Sequence, residues 1–294
     1  MTPSGRMHLG NIFSALLAWL SVRSEDGEMV FRTEDLDTVR CTDEYAQLVK
    51  EDLLWLGLDW DREVPRQSER TEAYEAALEL LEGKGLVFPC WCTRGELNAA
   101  SAPHASDGHM IYPGTCRNLT AEERAAKKGP GSRRLIVPDE TVTFTDGLYG
   151  EQSENLKTDC GDFVIRKADG VFAYQLAVVV DDIYAGITQV VRGSDLLSST
   201  ARQIYLYRLL GAEPPEFTHI PLLMAPDGRR LSKREKDLGL DSLRAGNTPE
   251  QIVGLLAHAA GLIPRRESVS ARELIQEFDW KRVRKDNIFI DLQG

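Results

Sequence analysis

Apolar positions Ile12, Phe13, Leu16, Leu17 and Leu20 recur at steps of three and four, and predict a helix over residues 11–22. Met29-Val30-Phe31-Arg32-Thr33 reads as a strand that runs into the acidic loop Glu34-Asp35-Leu36-Asp37. In open α/β sheets, ligands sit at that end of a strand. An amphipathic helix is predicted over residues 42–56, ended by Gly57, and another over 68–82, closed by Gly83-Lys84-Gly85. Alternating strands and helices predict an α/β fold with a doubly wound, Rossmann-like parallel sheet.

The pattern lapses at Val87. Up to about residue 138 periodicity is weak and Gly, Pro and Ser are frequent. Thr120-Ala121-Glu122-Glu123 has the form of a capping box for one short helix. Leu135-Ile136-Val137 and Val142-Thr143-Phe144 read as short strands. The α/β pattern resumes with Phe163-Val164-Ile165-Arg166, continues over 171–182 and Gln189-Val190-Val191-Arg192, and a helix follows over 199–210. Further helices are predicted over 241–245, 249–260 and 270–278. The division expected is 1–86 for the first half of a nucleotide-binding domain, 87–145 for an insertion, 146–222 for the second half, and 223–294 for a late loop and helical region.

Composition narrows the class. With 294 residues the chain can bury a large core. It holds 42% hydrophobic and 28% charged residues, as ordinary soluble proteins do. It contains no apolar run long enough to span a bilayer. The 12–22 stretch lacks the basic flank and cleavage site of a signal peptide. Five cysteines without a secretion signal predict a reducing cytoplasm. The net charge of −11 requires any nucleic-acid contact to be local, because charge beyond about 8 Å is largely screened at physiological salt.

Two distant motifs carry the chemistry. The first is Pro3-Ser4-Gly5-Arg6-Met7-His8-Leu9-Gly10-Asn11. Its glycines let backbone approach a ligand, and the helix it opens offers N–H groups and a positive dipole end to phosphate. His8 can donate to a phosphate oxygen whose charge grows in the transition state. The second is Pro226-Asp227-Gly228-Arg229-Arg230-Leu231-Ser232-Lys233-Arg234-Glu235-Lys236, whose five cations within eight residues stand out in an acidic chain. Lys233 suits a leaving pyrophosphate. Together the motifs predict a site that binds ATP, through His8, Gly10, Asn11, Ser232 and Lys233, while its α-phosphate is attacked. His8 and Lys233 are the catalytic candidates.

Cys90-Trp91-Cys92 and Cys116 predict a zinc site, since such spacing in a reducing compartment favours metal over disulfide. Zinc takes four ligands, and chemistry alone prefers His109, then His104, over Tyr112. Cys41 and Cys160 read as ordinary thiols.

Added to Arg32-Thr33-Glu34-Asp35-Leu36-Asp37, Tyr112-Pro113-Gly114-Thr115-Cys116, Tyr174-Gln175-Leu176-Ala177-Val178-Val179-Val180-Asp181-Asp182 and Val191-Arg192-Gly193-Ser194-Asp195, these motifs give an order that resembles the glutamyl-Q tRNA(Asp) synthetase family, shortened paralogues of glutamyl-tRNA synthetase among the class I aminoacyl-tRNA synthetases. The resemblance covers essentially the whole chain. It implies activation of L-glutamate by ATP with Mg2+, without tRNA, and then transfer of glutamate to queuosine at the wobble position of tRNA(Asp). It implies one Zn2+ on Cys90, Cys92, Tyr112 and Cys116. It also implies that Thr2 and Ser4 in the N-terminal loop, with Glu34, Tyr174 and Arg192, bind glutamate. By chemistry Glu34 suits the ammonium, Arg192 the side-chain carboxylate, and Tyr174 a hydroxyl hydrogen bond. A monomer without membrane attachment is expected.

Two differences separate the chain from the full-length glutamyl enzymes. Only residues 234–294 follow Lys233, so no anticodon-binding domain is expected, and Val178 stands where those enzymes resemble one another in carrying Asn. The family pattern also places a strand and an Arg before the Pro-Ser-Gly turn, whereas this sequence reads Met1-Thr2-Pro3 there, so a start upstream is expected. The competing readings are a truncated glutamyl-tRNA synthetase that charges tRNA(Glu) and a non-catalytic tRNA-binding paralogue.

Overall fold

The structure, a computed structural model, describes residues 1–93, 95–96, 111–229, 231 and 239–290. Helix α1 (Leu9–Ser24) buries Leu9, Ile12, Phe13, Leu16, Leu17 and Leu20 almost completely. Their spacing puts an apolar stripe on one face, and that face seats α1 in the larger of two main core clusters. Helix α2 (Asp43–Trp55) is capped by the Thr42 hydroxyl, which accepts from the Tyr45 N–H. Helix α3 (Thr71–Gly83) packs in the second cluster. The Thr120 capping box forms and starts the short helix α4 (Ala121–Ala125).

Helices α5 (Tyr174–Ala185) and α6 (Thr200–Leu210) each end on a left-handed glycine, Gly186 and Gly211. Helix α7 (Leu240–Gly246) follows the late loop, and α8 (Pro249–Ala260) starts on a Thr248 capping box with proline in its first turn. Residues 273–277 form a 3-10 helix where a longer helix is predicted over 270–278. Phe278 turns extended there and meets the Trp280 ring edge-on, which ends the helix early. No helix among the described residues is long and apolar enough to cross a membrane.

The strands depart from the doubly wound expectation. Strand β1 (Val30–Phe31) pairs in parallel with β2 (Arg62–Glu63), and β8 (Gln189–Gly193) in parallel with β9 (Glu216–Ile220). Strands β10 (Leu223–Met224) and β11 (Ile288–Phe289) form a third parallel pair. No strand among the described residues joins these pairs into one sheet. Residues of β1 and β8 instead border one cavity, across which α1 supplies Ser14, Ala15, Ala18 and Trp19. A continuous parallel sheet needs a hydrogen-bonded backbone between two such edges, and none of the described strands supplies it.

The remaining strands are antiparallel. β3 (Val87–Cys90), β4 (Ser132–Leu135) and β7 (Phe163–Arg166) form one sheet, which links strands on both sides of residue 145. β5 (Thr141–Asp146) and β6 (Gly150–Asn155) form a hairpin. Its turn lies against β9, where the Gly147 N–H donates to the Phe217 carbonyl at 2.9 Å. A Cβ on Gly147 would stand 2.2 Å from Thr218 Oγ1, so only glycine allows the hairpin so close.

Candidate active site and metal centre

His8 sits at the N-cap of α1 in extended conformation. The Gly10 N–H donates to its Nδ1 at 3.1 Å, while Asn11 Oδ1 accepts from the His8 N–H at 3.3 Å. The Asn11 and Ile12 N–H groups donate to the His8 carbonyl. These bonds correct one expectation: the amides of this turn are taken by His8 itself and do not stand free for phosphate. The same bonds sharpen the role of the ring. A neutral imidazole that accepts at Nδ1 carries its proton on Nε2, which is the donor the ring presents. A Cβ on Gly10 would come within 3.0 Å of the ring and push it from this position.

The late loop returns to the first motif. Leu231 is buried and lines the same cavity as His8. At the other end Gly239 forms a β-bridge with His8, and the Leu240 N–H donates to the Met7 carbonyl at 3.0 Å. Arg6 pairs with Asp241 of α7 and with buried Asp52 of α2, and Arg244 reaches Asp52 at 2.8 Å. Residues 232–238, and with them Ser232 and Lys233, lie outside the described residues. Gly239 and Leu240, which follow them, are anchored on the His8 turn.

The cavity, about 1180 Å3, is lined by His8, Gly10, Asn11, Glu34, Tyr174 and Arg192. Glu34 is held by Arg32 Nη2 at 3.2 Å and by the Thr2 hydroxyl, which donates at 3.1 Å. Burial would raise the Glu34 pKa, but neighbouring positive charge, including Arg32 and its hydrogen bond, overcomes burial and lowers it. Arg32 in turn pairs with Asp182, which also accepts from the Tyr207 hydroxyl at 3.1 Å. Tyr174 opens α5 at the cavity edge. Thr2 reaches the site through Glu34. Ser4 does not line the cavity; its N–H donates to the Thr2 carbonyl, and it shapes the turn. Val178 lines the cavity with an apolar surface.

Arg192 is nearly buried and does not project as a free fork. Its Nε donates to His219 Nε2 at 3.0 Å, Nη1 to Gln203 Oε1 at 2.7 Å, and Nη2 to Thr200 Oγ1 at 2.9 Å. The guanidinium lies over the Phe217 ring, 5.0 Å from its centroid. His219, Gln203, Thr200 and Asp146 are parts of this site that the sequence reading missed. Their only signal is polarity within apolar surroundings, such as His219 in Phe217-Thr218-His219-Ile220, and no spacing rule links them to Arg192.

The metal centre is separate. The Sγ atoms of Cys90, Cys92 and Cys116 lie within 4.8 Å of one another. The Tyr112 hydroxyl faces them, 3.5 Å from Cys90 and 3.9 Å from Cys92, and accepts from the Cys116 N–H at 2.6 Å. Strand β3 delivers Cys90, and buried Tyr112 and Cys116 close the cluster four residues apart. The Arg134 guanidinium stacks on the Tyr112 ring at 4.0 Å. Three thiols and a phenol converging on one point form a donor set that fits a soft divalent cation. His104 and His109, the other candidates for a fourth ligand, lie outside the described residues. Cys41 and Cys160 take no part.

A nucleotide-sized cavity under a His-x-Gly helix start, with a late loop anchored beside it, defines a class of enzyme. A family model described as tRNA synthetases class I (E and Q), catalytic domain, matches residues 2–293, and the chain belongs to that family. The glutamyl-Q tRNA(Asp) synthetase of Symbiobacterium thermophilum is 48% identical over 98% of this chain and 94% of its own length. The protein of the same name from Nitratidesulfovibrio vulgaris is 50% identical over 90% of this chain and 85% of its own. Within the class, the chain therefore falls among the glutamyl-Q tRNA(Asp) synthetases.

Among solved structures, a glutamate tRNA ligase from Elizabethkingia meningosepticum in complex with its amino acid superposes with a TM-score of 0.82 at 28% identity. The match covers 100% of this chain and 66% of that one, so this chain spans about two thirds of the ligase's length. The glutamate-tRNA synthetase of Elizabethkingia anophelis gives 0.83, also at 28%.

Proposed function

We propose that this protein activates L-glutamate with ATP and Mg2+ to glutamyl-adenylate, without tRNA, and transfers the glutamate to queuosine at the wobble position of tRNA(Asp). The observation that carries this reading is the shared cavity: His8, Glu34, Tyr174 and Arg192 all face it, and the late loop is anchored on the His8 turn. The names of the relatives supply the acceptor.

Each residue then has a task. The Glu34 carboxylate receives the substrate ammonium. Arg192 receives the side-chain carboxylate, and Tyr174 donates a hydroxyl hydrogen bond. The substrate α-carboxylate oxygen attacks the α-phosphorus, and the bond to pyrophosphate breaks. His8 Nε2–H donates to a phosphate oxygen as its charge grows, and Lys233 neutralises the departing pyrophosphate. Cys90, Cys92, Tyr112 and Cys116 would hold a Zn2+ that braces the insertion, since a structural metal contributes folding free energy outright.

The test is glutamate-dependent ATP–pyrophosphate exchange with and without tRNA, followed by transfer of labelled glutamate to tRNA(Asp). Exchange without tRNA, and label lost when queuosine is absent, is the expected result. Exchange that strictly requires tRNA(Glu) would overturn the reading in favour of a truncated glutamyl-tRNA synthetase, and tRNA binding with no exchange would make the protein a non-catalytic paralogue.

A further inference from the structure

We propose that His219 and Asp146 form a positioning pair that fixes the Arg192 guanidinium and thereby sets the affinity and charge selectivity for the amino acid. The inference rests on the assignment of Arg192 to the substrate's side-chain carboxylate.

Arg192 and His219 are register partners across the parallel pair β8–β9. Arginine has only donors, so a bond from its Nε at 3.0 Å requires a bare acceptor at His219 Nε2. The ring proton must then lie on Nδ1, which faces Asp146 Oδ2 at 2.6 Å. Asp146 is itself immobilised. Its Oδ1 accepts from the N–H groups of Leu148 at 3.0 Å and Tyr149 at 2.9 Å, and its Oδ2 also accepts from the His219 N–H at 3.0 Å. Asp146, His219 and Arg192 are all buried.

The orientation therefore runs as a chain. The β5–β6 turn, pressed on β9 at Gly147, fixes Asp146. Asp146 fixes the tautomer and plane of His219, and His219 holds the inner edge of the guanidinium. Thr200 and Gln203 hold its ends. Burial and the Arg192 charge keep the imidazole below its ordinary pKa, with Asp146 opposing, so the acceptor at Nε2 persists. A protonated ring would set two N–H donors and two cations against each other at this contact. An arginine preorganised in this way loses little side-chain entropy when substrate binds, which is why its orientation shows up as affinity.

Two substitutions separate positioning from general stability. His219→Asn keeps a polar group at the Nδ1 position, towards Asp146, and removes the one that meets Arg192. His219→Gln does the reverse. In tRNA-independent exchange, His219→Asn should raise the KM for glutamate about tenfold and leave the KM for ATP within about twofold, whereas His219→Gln should stay within about threefold of wild type. Discrimination of glutamate against glutamine should fall in the Asn variant alone. In an Arg192→Ala background, His219→Asn should add nothing, because two residues acting through one contact are not additive.

Equal effects of Asn and Gln, equal changes in both KM values, or additivity with Arg192→Ala would overturn the inference. If Arg192→Ala raises the glutamate KM and His219→Asn does not, the positioning pair alone falls. If Arg192→Ala leaves that KM unchanged, the assignment of Arg192 falls and the pair with it.

Discussion

Replacement of Glu34 by Gln tests the amino-acid end of the cavity most directly. The two side chains have the same size, and an amide oxygen can still accept from Thr2 or Arg32, so the change removes mainly charge. A hydrogen bond to a charged group contributes about 1.5–3 kcal/mol, and a neutral one about 0.5–1.5 kcal/mol. The difference, about 1–1.5 kcal/mol, corresponds to roughly a five- to tenfold rise in the KM for glutamate. Arg32 keeps Asp182 as a partner, so its charge is not stranded.

The assay is glutamate-dependent exchange without tRNA, with glutamate and ATP varied in turn. The KM for ATP should stay within about twofold, because the role proposed for Glu34 is to bind the amino acid. A glutamate KM that does not move, or an ATP KM that moves as far, refutes the role. The sign of the pH effect follows from the depressed pKa. The Glu34 pKa is lowered in the folded chain from an ordinary 4.5, so its stabilising contribution is complete above about pH 4.5 and is lost at more acid pH as the carboxylate protonates. Across the neutral range the carboxylate is ionised, and it should add no slope to the glutamate KM.

Three further outcomes are expected. Lys233→Ala should depress exchange at least about tenfold through loss of a charge on the transferring phosphates, and unchanged exchange would remove that role. Metal analysis of the purified protein should find about one zinc per chain, and Cys90→Ala should lose it; a variant that keeps a full complement would refute the Cys90, Cys92, Tyr112 and Cys116 site. Asp181, fully buried, accepts from Gln67, Arg70 and Tyr74, so Asp181→Ala should cost about 3–5 kcal/mol in denaturant unfolding by stranding Arg70. A loss under about 1 kcal/mol would show that water replaces the carboxylate.

Local pattern determined much of this protein. The stripe Ile12, Phe13, Leu16, Leu17 and Leu20, the Thr120 capping box and the Phe163–Arg166 strand follow from periodicity and cap chemistry, which act within a few residues. The cysteine cluster was equally legible, because metal ligands at short spacing leave a mark in sequence. Strand pairing was not. A predicted strand does not state its neighbour, and the pairing of β1 with β2 and of β8 with β9 depends on which backbones meet in space.

The same limit hid the surroundings of Arg192. Asp146, His219, Thr200 and Gln203 come from a hairpin, a strand and a helix, and only the tertiary fold brings them together. Sequence thus named His8, Glu34 and Arg192, which line the cavity, since their chemistry is intrinsic to residue type. The fold decided how those groups are aimed: the Gly10 N–H holds His8 by its Nδ1, and buried hydrogen bonds between distant segments hold Arg192 by its inner edge.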